Sequence, residues 1–481
     1  MSPAHPARPG GRAAGRGGAG LALLGALIAA SAAFLLAPPG ADAARGLKVG
    51  FVAPEYQSSS AATRGAWLDR TLETGGDIVR LTVSWRATVG PEPVAPTNPA
   101  DPSYSFGDLD AAVIDAKARG LEVLLTVTSA PAWAEGANRP GGGVARAGTW
   151  KPKPKKLGEF AEALATRYSG GFLGLPEVDH LQGWNEANLR TYLMPQWVDG
   201  KPKSPHLFRK MMRRFYTGAK AGNPEVTVVT GGMAPFGDSP GGTRMRPLLF
   251  LRKLFCLRSN LSPKRCRKPA KLDAVSHHPI NTSGGPTQGA FHPDDASSGD
   301  LKNVSKVVNA AERAGTVKPG GNKPLWLTEF WWETNPPDNF VGIPERKHAS
   351  WIAEALRLFW KRGGRVAINF FIRDAPYDPN NPLATIQSGA YFRDGSPKLA
   401  QRAFRFPFLT NRTSQKRLRV WGRSPLAGEL AVERRKGGEW RTLKTIDVNV
   451  NEVFRPRVRL NGRATLRAKV GGEASLKWRQ K

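Results

Sequence analysis

From about Leu47 to Phe408 short apolar runs alternate with amphipathic stretches, and the alternation predicts strands and helices in strict succession. GLKVGFVAP reads as a first strand, followed by a helix over 61–72, the strand DIVRLTVSW, a helix around 108–118 and the strand LEVLLTVT. A helix around 157–168 then leads into a strand ending near Glu186. The second half continues with a helix around 205–221, VTVVTGG, a helix around 247–257, LDAVSHHP, a helix around 301–314, LWLTEF, a helix around 345–361 and VAINFFI. Several of these strands are nearly continuous apolar runs, which need burial on both faces; a parallel barrel wall provides it and a one-sided antiparallel sheet does not. The expected fold class is therefore α/β, a (β/α)8 TIM barrel, with a doubly wound open sheet as the competing arrangement.

Beyond Phe408 the period changes. RLRVWGR, GELAVERR, WRTLKTIDV and ATLRAKV alternate apolar and polar positions between glycine or polar turns, which predicts a small C-terminal antiparallel β domain. The expected division is residues 1–43 as a leader, 44–410 as the barrel and 411–481 as the small basic β domain. Packing beside the barrel and glycan binding through Trp421, Trp440 or Trp478 are both open roles for that domain.

Arg8, Arg12 and Arg16 precede an apolar run from Leu21 to Ala37, and Ala41-Asp42-Ala43 supplies small residues for cleavage. This is the pattern of a signal peptide; at about 17 residues the run also reaches the lower limit for an uncleaved N-terminal membrane anchor, the single route by which a membrane enters the reading. A secreted or extracytoplasmic location follows. In an exported chain the two cysteines, Cys256 and Cys266, are expected to form a disulfide; two reduced thiols are the alternative, and no Cys/His pattern accompanies them to suggest a metal.

The net charge of +32 raises the question of nucleic acid, but the cations are spread along the chain without a nucleic-acid motif, so no specific nucleic-acid partner is expected. An anionic cell-surface polymer is a candidate partner, against the plainer reading of a solvated basic surface.

The chemistry concentrates in two glutamates, Glu186 in HLQGWNEAN and Glu329 in KPLWLTEFWWET, each placed where a strand runs out into a loop. Their separation corresponds to about three strand–helix units of roughly 45 residues, which puts them on the fourth and seventh strands. Breaking a glycosidic bond needs one carboxyl group to protonate the leaving oxygen and a second to attack the anomeric carbon or activate water. With Asn185-Glu186 on the fourth strand and Glu329 on the seventh, residues 47–408 resemble clan A glycoside hydrolases, of the family 39 or family 5 retaining type.

The resemblance implies Glu186 as acid/base, Glu329 as nucleophile, Asn185 at the sugar 2-hydroxyl, and Arg80 orienting the nucleophile. It also implies an oligosaccharide or polysaccharide substrate and no metal or organic cofactor. Of the adjacent His277 and His278 at the sixth strand, His278 is the expected partner of substrate or a catalytic carboxylate. Trp133, Trp184, Trp331 and Trp332 offer flat faces for sugar CH groups, with Trp332 and Trp133 as expected substrate-binding residues and core packing as the alternative for each. Because Asn185 and Glu186 are neighbours, a bulge or strand-to-loop transition must redirect one of them. Ile280 stands where the family often has tyrosine, and Phe370-Phe371 where a tryptophan is common. Those departures keep open a noncatalytic cell-surface glycan-binding protein, just as the many arginines keep open plain ion pairing for the glutamates.

Overall fold

The computed structural model describes residues 46–281 and 284–480. The segment read above as leader or anchor lies outside them, and among the described residues no helix is long and apolar enough to cross a membrane.

Eight strands form one parallel sheet: β1 (Lys48–Val52), β2 (Ile78–Ser84), β3 (Glu122–Thr128), β4 (His180–Gly183), β5 (Thr227–Thr230), β6 (Val275–His277), β7 (Leu325–Phe330) and β8 (Gly364–Phe370). They pair in the order β5-β4-β3-β2-β1-β8-β7-β6. Parallel bridges Val229–Ala274 and Met233–His277 join the two ends, so the sheet closes into a barrel and the open-sheet arrangement is excluded. The strands alternate with α1 (Ala61–Glu73), α2 (Gly107–Ala118), α3 (Pro154–Arg167), α4 (Ser204–Gly222), α5 (Pro247–Leu254), α6 (Leu301–Arg313), α7 (Glu345–Lys361) and α8 (Leu399–Arg405). The last helix had no counterpart in the periodicity: it is short, and Ala400, Ala403 and Phe404 are all it buries.

The alternation inside each strand explains the mixed character of the apolar runs. Outward positions such as Val79, Leu81, Val123, Leu125, Leu181 and Leu327 pack into the core shared with the helices. Inward positions form layers. Ile78, Leu124, Val229, Ala274, Trp326, Val366 and Ile368 fill one end, and the His180 ring meets Trp326 edge-on at 4.9 Å. Above them lie polar side chains, Arg80, Thr126, Gln182, Ser276 and Thr328, all buried.

Helix α4 buries Phe208, Met211, Met212, Phe215 and Ala219, an i, i+3, i+4, i+7 stripe that leaves its cations on the opposite face. Gly218 lets it approach α3 closely, since a Cβ there would stand 1.9 Å from the Gly158 carbonyl oxygen.

The C-terminal strands fold antiparallel. β9 (Phe408–Ser414) pairs with β10 (Arg417–Arg423), and β11 (Gly428–Lys436) lies between β12 (Glu439–Val448) and β13 (Ala464–Val470). They enclose their own apolar cluster, including Leu418, Val420, Leu430, Val432, Phe454 and Leu466. Trp421, offered above for glycans, is instead buried where these strands meet the barrel, 6.2 Å from Trp360. Trp478 packs against the apolar core, and Trp440 lies under the Arg467 guanidinium at 4.1 Å.

A buried ion pair ties the two parts. Arg423, fully buried, donates to Asp77 Oδ2 at 2.5 Å and to the Gly75 carbonyl at 3.0 Å, while Asn451 donates to Asp77 Oδ1 at 2.8 Å. Removing one partner leaves the other charge in a low-dielectric joint. Arg423→Ala is therefore expected to lower the unfolding free energy by about 3 kcal/mol in urea denaturation, with the Asp77→Asn/Arg423→Met pair costing less than the sum of its single changes.

Candidate functional site

Arg80 projects from β2 into the barrel with 4% of its surface exposed, and the residues around it are placed by its donors. Its Nη1 donates to Glu329 Oε1 at 2.5 Å and its Nη2 to Asn185 Oδ1 at 2.8 Å. Its Nε donates to Thr126 Oγ1 at 2.8 Å and to Gln182 Oε1 at 3.2 Å. One guanidinium thus connects the second, third, fourth and seventh strands.

Backbone irregularity brings neighbouring side chains to the same face. Trp184 and Glu186 take positive φ, 81° and 32°, as the chain leaves β4, so Asn185 reaches Arg80 while Glu186 faces His278. On the other side, β7 slips register against β8 between Leu327 and Phe330, and Thr328 and Glu329 both enter the site. The redirection expected from the Asn185-Glu186 pair is therefore present, and a second one occurs at the other glutamate.

His278 stands between the acids. Its Nδ1 lies 2.9 Å from Glu186 Oε1 and 3.6 Å from Glu329 Oε2, and its Nε2 lies 3.0 Å from Thr328 Oγ1. Room for this ring comes from Gly232, where a Cβ would fall 1.9 Å from Nε2. His277 points away: its Nε2 meets the Ala296 carbonyl at 2.7 Å, and burial pushes its pKa down to about 3, so it stays neutral.

Donor atoms of Glu186, His278 and Glu329 all lie within 4.8 Å of one another. Burial raises the Glu186 pKa above the usual carboxylate range; the His278 hydrogen bond opposes this, and the nearby Glu329 charge adds to it. The three donors could also ligate a cation, but Arg80 already presents positive charge to Glu329, and the His278 nitrogens are engaged by Glu186 and Thr328.

The remaining expected residues divide. Trp332 is buried, its indole N–H donating to the Gly284 carbonyl at 2.9 Å and its ring packed edge-on against Phe330 and Trp351, so it has no face for a sugar. Trp331, just past the end of β7, is half-buried and lies 5.1 Å from Phe370; Phe370 stacks on Phe371 at 4.3 Å. Trp133 rests edge-on against Trp85 and donates to the Gly90 carbonyl, half-buried, with no contact to either glutamate among its described interactions. Trp184 is buried and donates to the Tyr192 carbonyl. Cys256 and Cys266 are joined by a disulfide, S–S 2.11 Å. Asp374 pairs with buried Lys398 at 2.6 Å, while Arg373 lies 5.0 Å from the Trp67 ring.

Tyr192 escaped the sequence reading. It lies near both glutamates, and burial first, then their charges, push its pKa up to about 12. Gln182 and Thr328 were also missed, although a polar residue at an inward position of an apolar strand is a readable signal.

No protein-family model and no curated protein matches the chain. Among solved structures it is similar to a family 39 glycoside hydrolase from Bacteroides cellulosilyticus WH2, with 16% identity over 87% of this chain and 82% of that one and a TM-score of 0.53. It is also similar to a family 39 enzyme from Xanthomonas axonopodis pv. citri, at 15% identity over 87% and 92% of the two chains, TM-score 0.51. A monomeric beta-xylosidase from Caulobacter crescentus CB15 gives 15% identity over 87% and 94%, TM-score 0.50. At these identities the likeness is one of fold.

Because Gly232 has no space for a methyl group beside His278, Gly232→Ala is expected to destabilise the protein by about 1–3 kcal/mol, measured by chemical denaturation.

Proposed function

We propose that the protein is an exported glycoside hydrolase acting by a retaining double displacement, with Glu186 as acid/base and Glu329 as nucleophile. The observation that carries this reading is the buried pair of carboxylates facing each other at one barrel rim, with Arg80 on one and His278 on the other. Retaining enzymes hold the two carboxyl groups about 5–5.5 Å apart and inverting ones about 6.5–9.5 Å. Oxygens of Glu186 and Glu329 within 4.8 Å of each other favour the retaining case.

The two environments suit the two roles. Arg80 donates to Glu329 Oε1 and so orients the carboxylate that attacks the anomeric carbon. Burial raises the Glu186 pKa and so favours the protonated form, which passes its proton to the departing oxygen as the glycosidic bond breaks and a sugar ester of Glu329 forms. Glu186 then takes a proton from water, whose oxygen attacks the same carbon and frees Glu329. Asn185, fixed by Arg80, is placed to meet the sugar 2-hydroxyl, and Trp331 with Phe370 offers the apolar face.

Export is supported by the sequence of the leader and by the Cys256–Cys266 disulfide. A binding protein without turnover would bind glycans yet release no reducing ends.

Glu329→Gln is expected to lower kcat by about a thousandfold or more on aryl glycosides with the fold intact by circular dichroism; unchanged turnover would remove Glu329 from the role. The pH dependence follows from Glu186. The first step needs its proton, so kcat/KM falls as pH rises through its raised pKa. The alkaline limb should lie above the ordinary glutamate value of about 4.3, and a limb at or below that value would contradict the assignment.

A further inference from the structure

A second concave surface lies on the outer wall of the barrel and contains neither catalytic glutamate. It is a groove of about 900 Å³ that follows the solvent face of α4 from His206 to Thr217. The start of α3, with Lys155, the disulfide-closed loop, with Arg265, and the residues just after it, Arg267 and Lys268, complete its lining. Because α4 follows β4, it runs back from the rim that holds Glu186, and the groove descends with it.

The lining contains no acidic residue. Arg209 and Arg213 are one helical turn apart, as are Lys210 and Arg214, and like charges at that spacing repel. Several other barrel arginines are matched, as in Arg64–Asp115, Arg167–Asp110, Arg246–Asp295 and Arg252–Asp294. Among the described residues, the α4 cations in the groove and those of the disulfide loop pair with no carboxylate, and only Lys155 has such a partner, Glu159 at 3.6 Å. Burial, followed by the charges of Arg209, Lys253, Lys203 and Lys210, holds the His206 pKa below its ordinary value, as expected in a positive field.

The loop is held in place. The Cys256–Cys266 bond closes it, and Arg213 donates to the Pro269 carbonyl at 2.8 Å, fixing the segment that follows the loop against α4. Cations that would repel one another in solution are thus kept together on a rigid frame, an arrangement that an anion relieves.

We propose that this groove binds a strand of an acidic polysaccharide, with arginine forks taking successive carboxylates and the polymer held along the barrel wall. Guanidinium groups match carboxylates in two-point contacts. The absence of Phe, Tyr and Trp from the lining removes the stacking platforms on which single-stranded nucleic acids rely.

The test is equilibrium binding of fluorescent polygalacturonate to the full-length Glu329→Gln protein, which separates binding from any hydrolysis. Neutral dextran and a single-stranded DNA of matched charge serve as comparators. Polygalacturonate is expected to bind with an affinity that falls as salt rises, dextran not to bind, and DNA to bind more weakly. K210E/R214E and R265E/R267E, two exposed pairs on different elements, should each weaken polygalacturonate binding about tenfold or more at 0.1 M salt while leaving the thermal midpoint unchanged. Absence of polygalacturonate binding, binding unchanged in both variants, or DNA bound as tightly with the same losses would overturn the proposal, the last reducing the groove to nonspecific electrostatics. Because the protein used carries Glu329→Gln, failure of the hydrolase reading leaves this result intact.

Discussion

A guanidinium at the centre of a barrel is costly to bury unless its donors find acceptors, and the architecture of this site follows from satisfying Arg80. Its acceptors come from strands far apart in sequence, so Thr126, Gln182, Asn185 and Glu329 become neighbours only because the barrel closes. The acids are then differentiated by what else they touch. Glu329 shares the cation, whereas Glu186 lies over a histidine whose second nitrogen is held by Thr328. Without Arg80, Glu329 and Asn185 would lose the donor they share, while Thr126, Gln182, Ser276 and Thr328 would keep the hydrogen bonds they make among themselves.

Much of this was legible along the chain, because the features that mattered were periodic or local. The strand and helix rhythm depends on alternation, and the two glutamates stand where apolar strands run out; the role of Arg80 came with the family resemblance, and no periodic signal separated His278 from its neighbour. The parts that were not legible depend on three-dimensional choices. Trp331 and Trp332 are equal as letters, and only the direction of β7 decides which one enters the core. Tyr192 belongs to a loop without periodicity, so nothing in its surroundings marked it as a neighbour of the two glutamates. Trp421 looked like a surface aromatic until the joint between barrel and C-terminal strands consumed it.

The charge distribution also changes meaning once folded. Spread along the sequence, the basic residues suggested no more than a cationic surface. On the fold many are neutralised in pairs, while one set without carboxylate partners lines the groove beside α4. The Cys256–Cys266 disulfide holds part of that collection in place.

The barrel is not stitched evenly. Along β2 and β3 the register runs unbroken from Ile78 opposite Glu122 to Ser84 opposite Thr128, whereas β5 and β6 meet only at isolated bridges. That seam is bordered by Gly232 and leads directly into His278, whose backbone N–H donates to the Met233 carbonyl across it. Breathing of the cylinder along this line would therefore reach His278 and the Glu186 carboxyl it holds before the Arg80-bound Glu329, which links mechanical looseness at the seam to the environment of one acid more than the other.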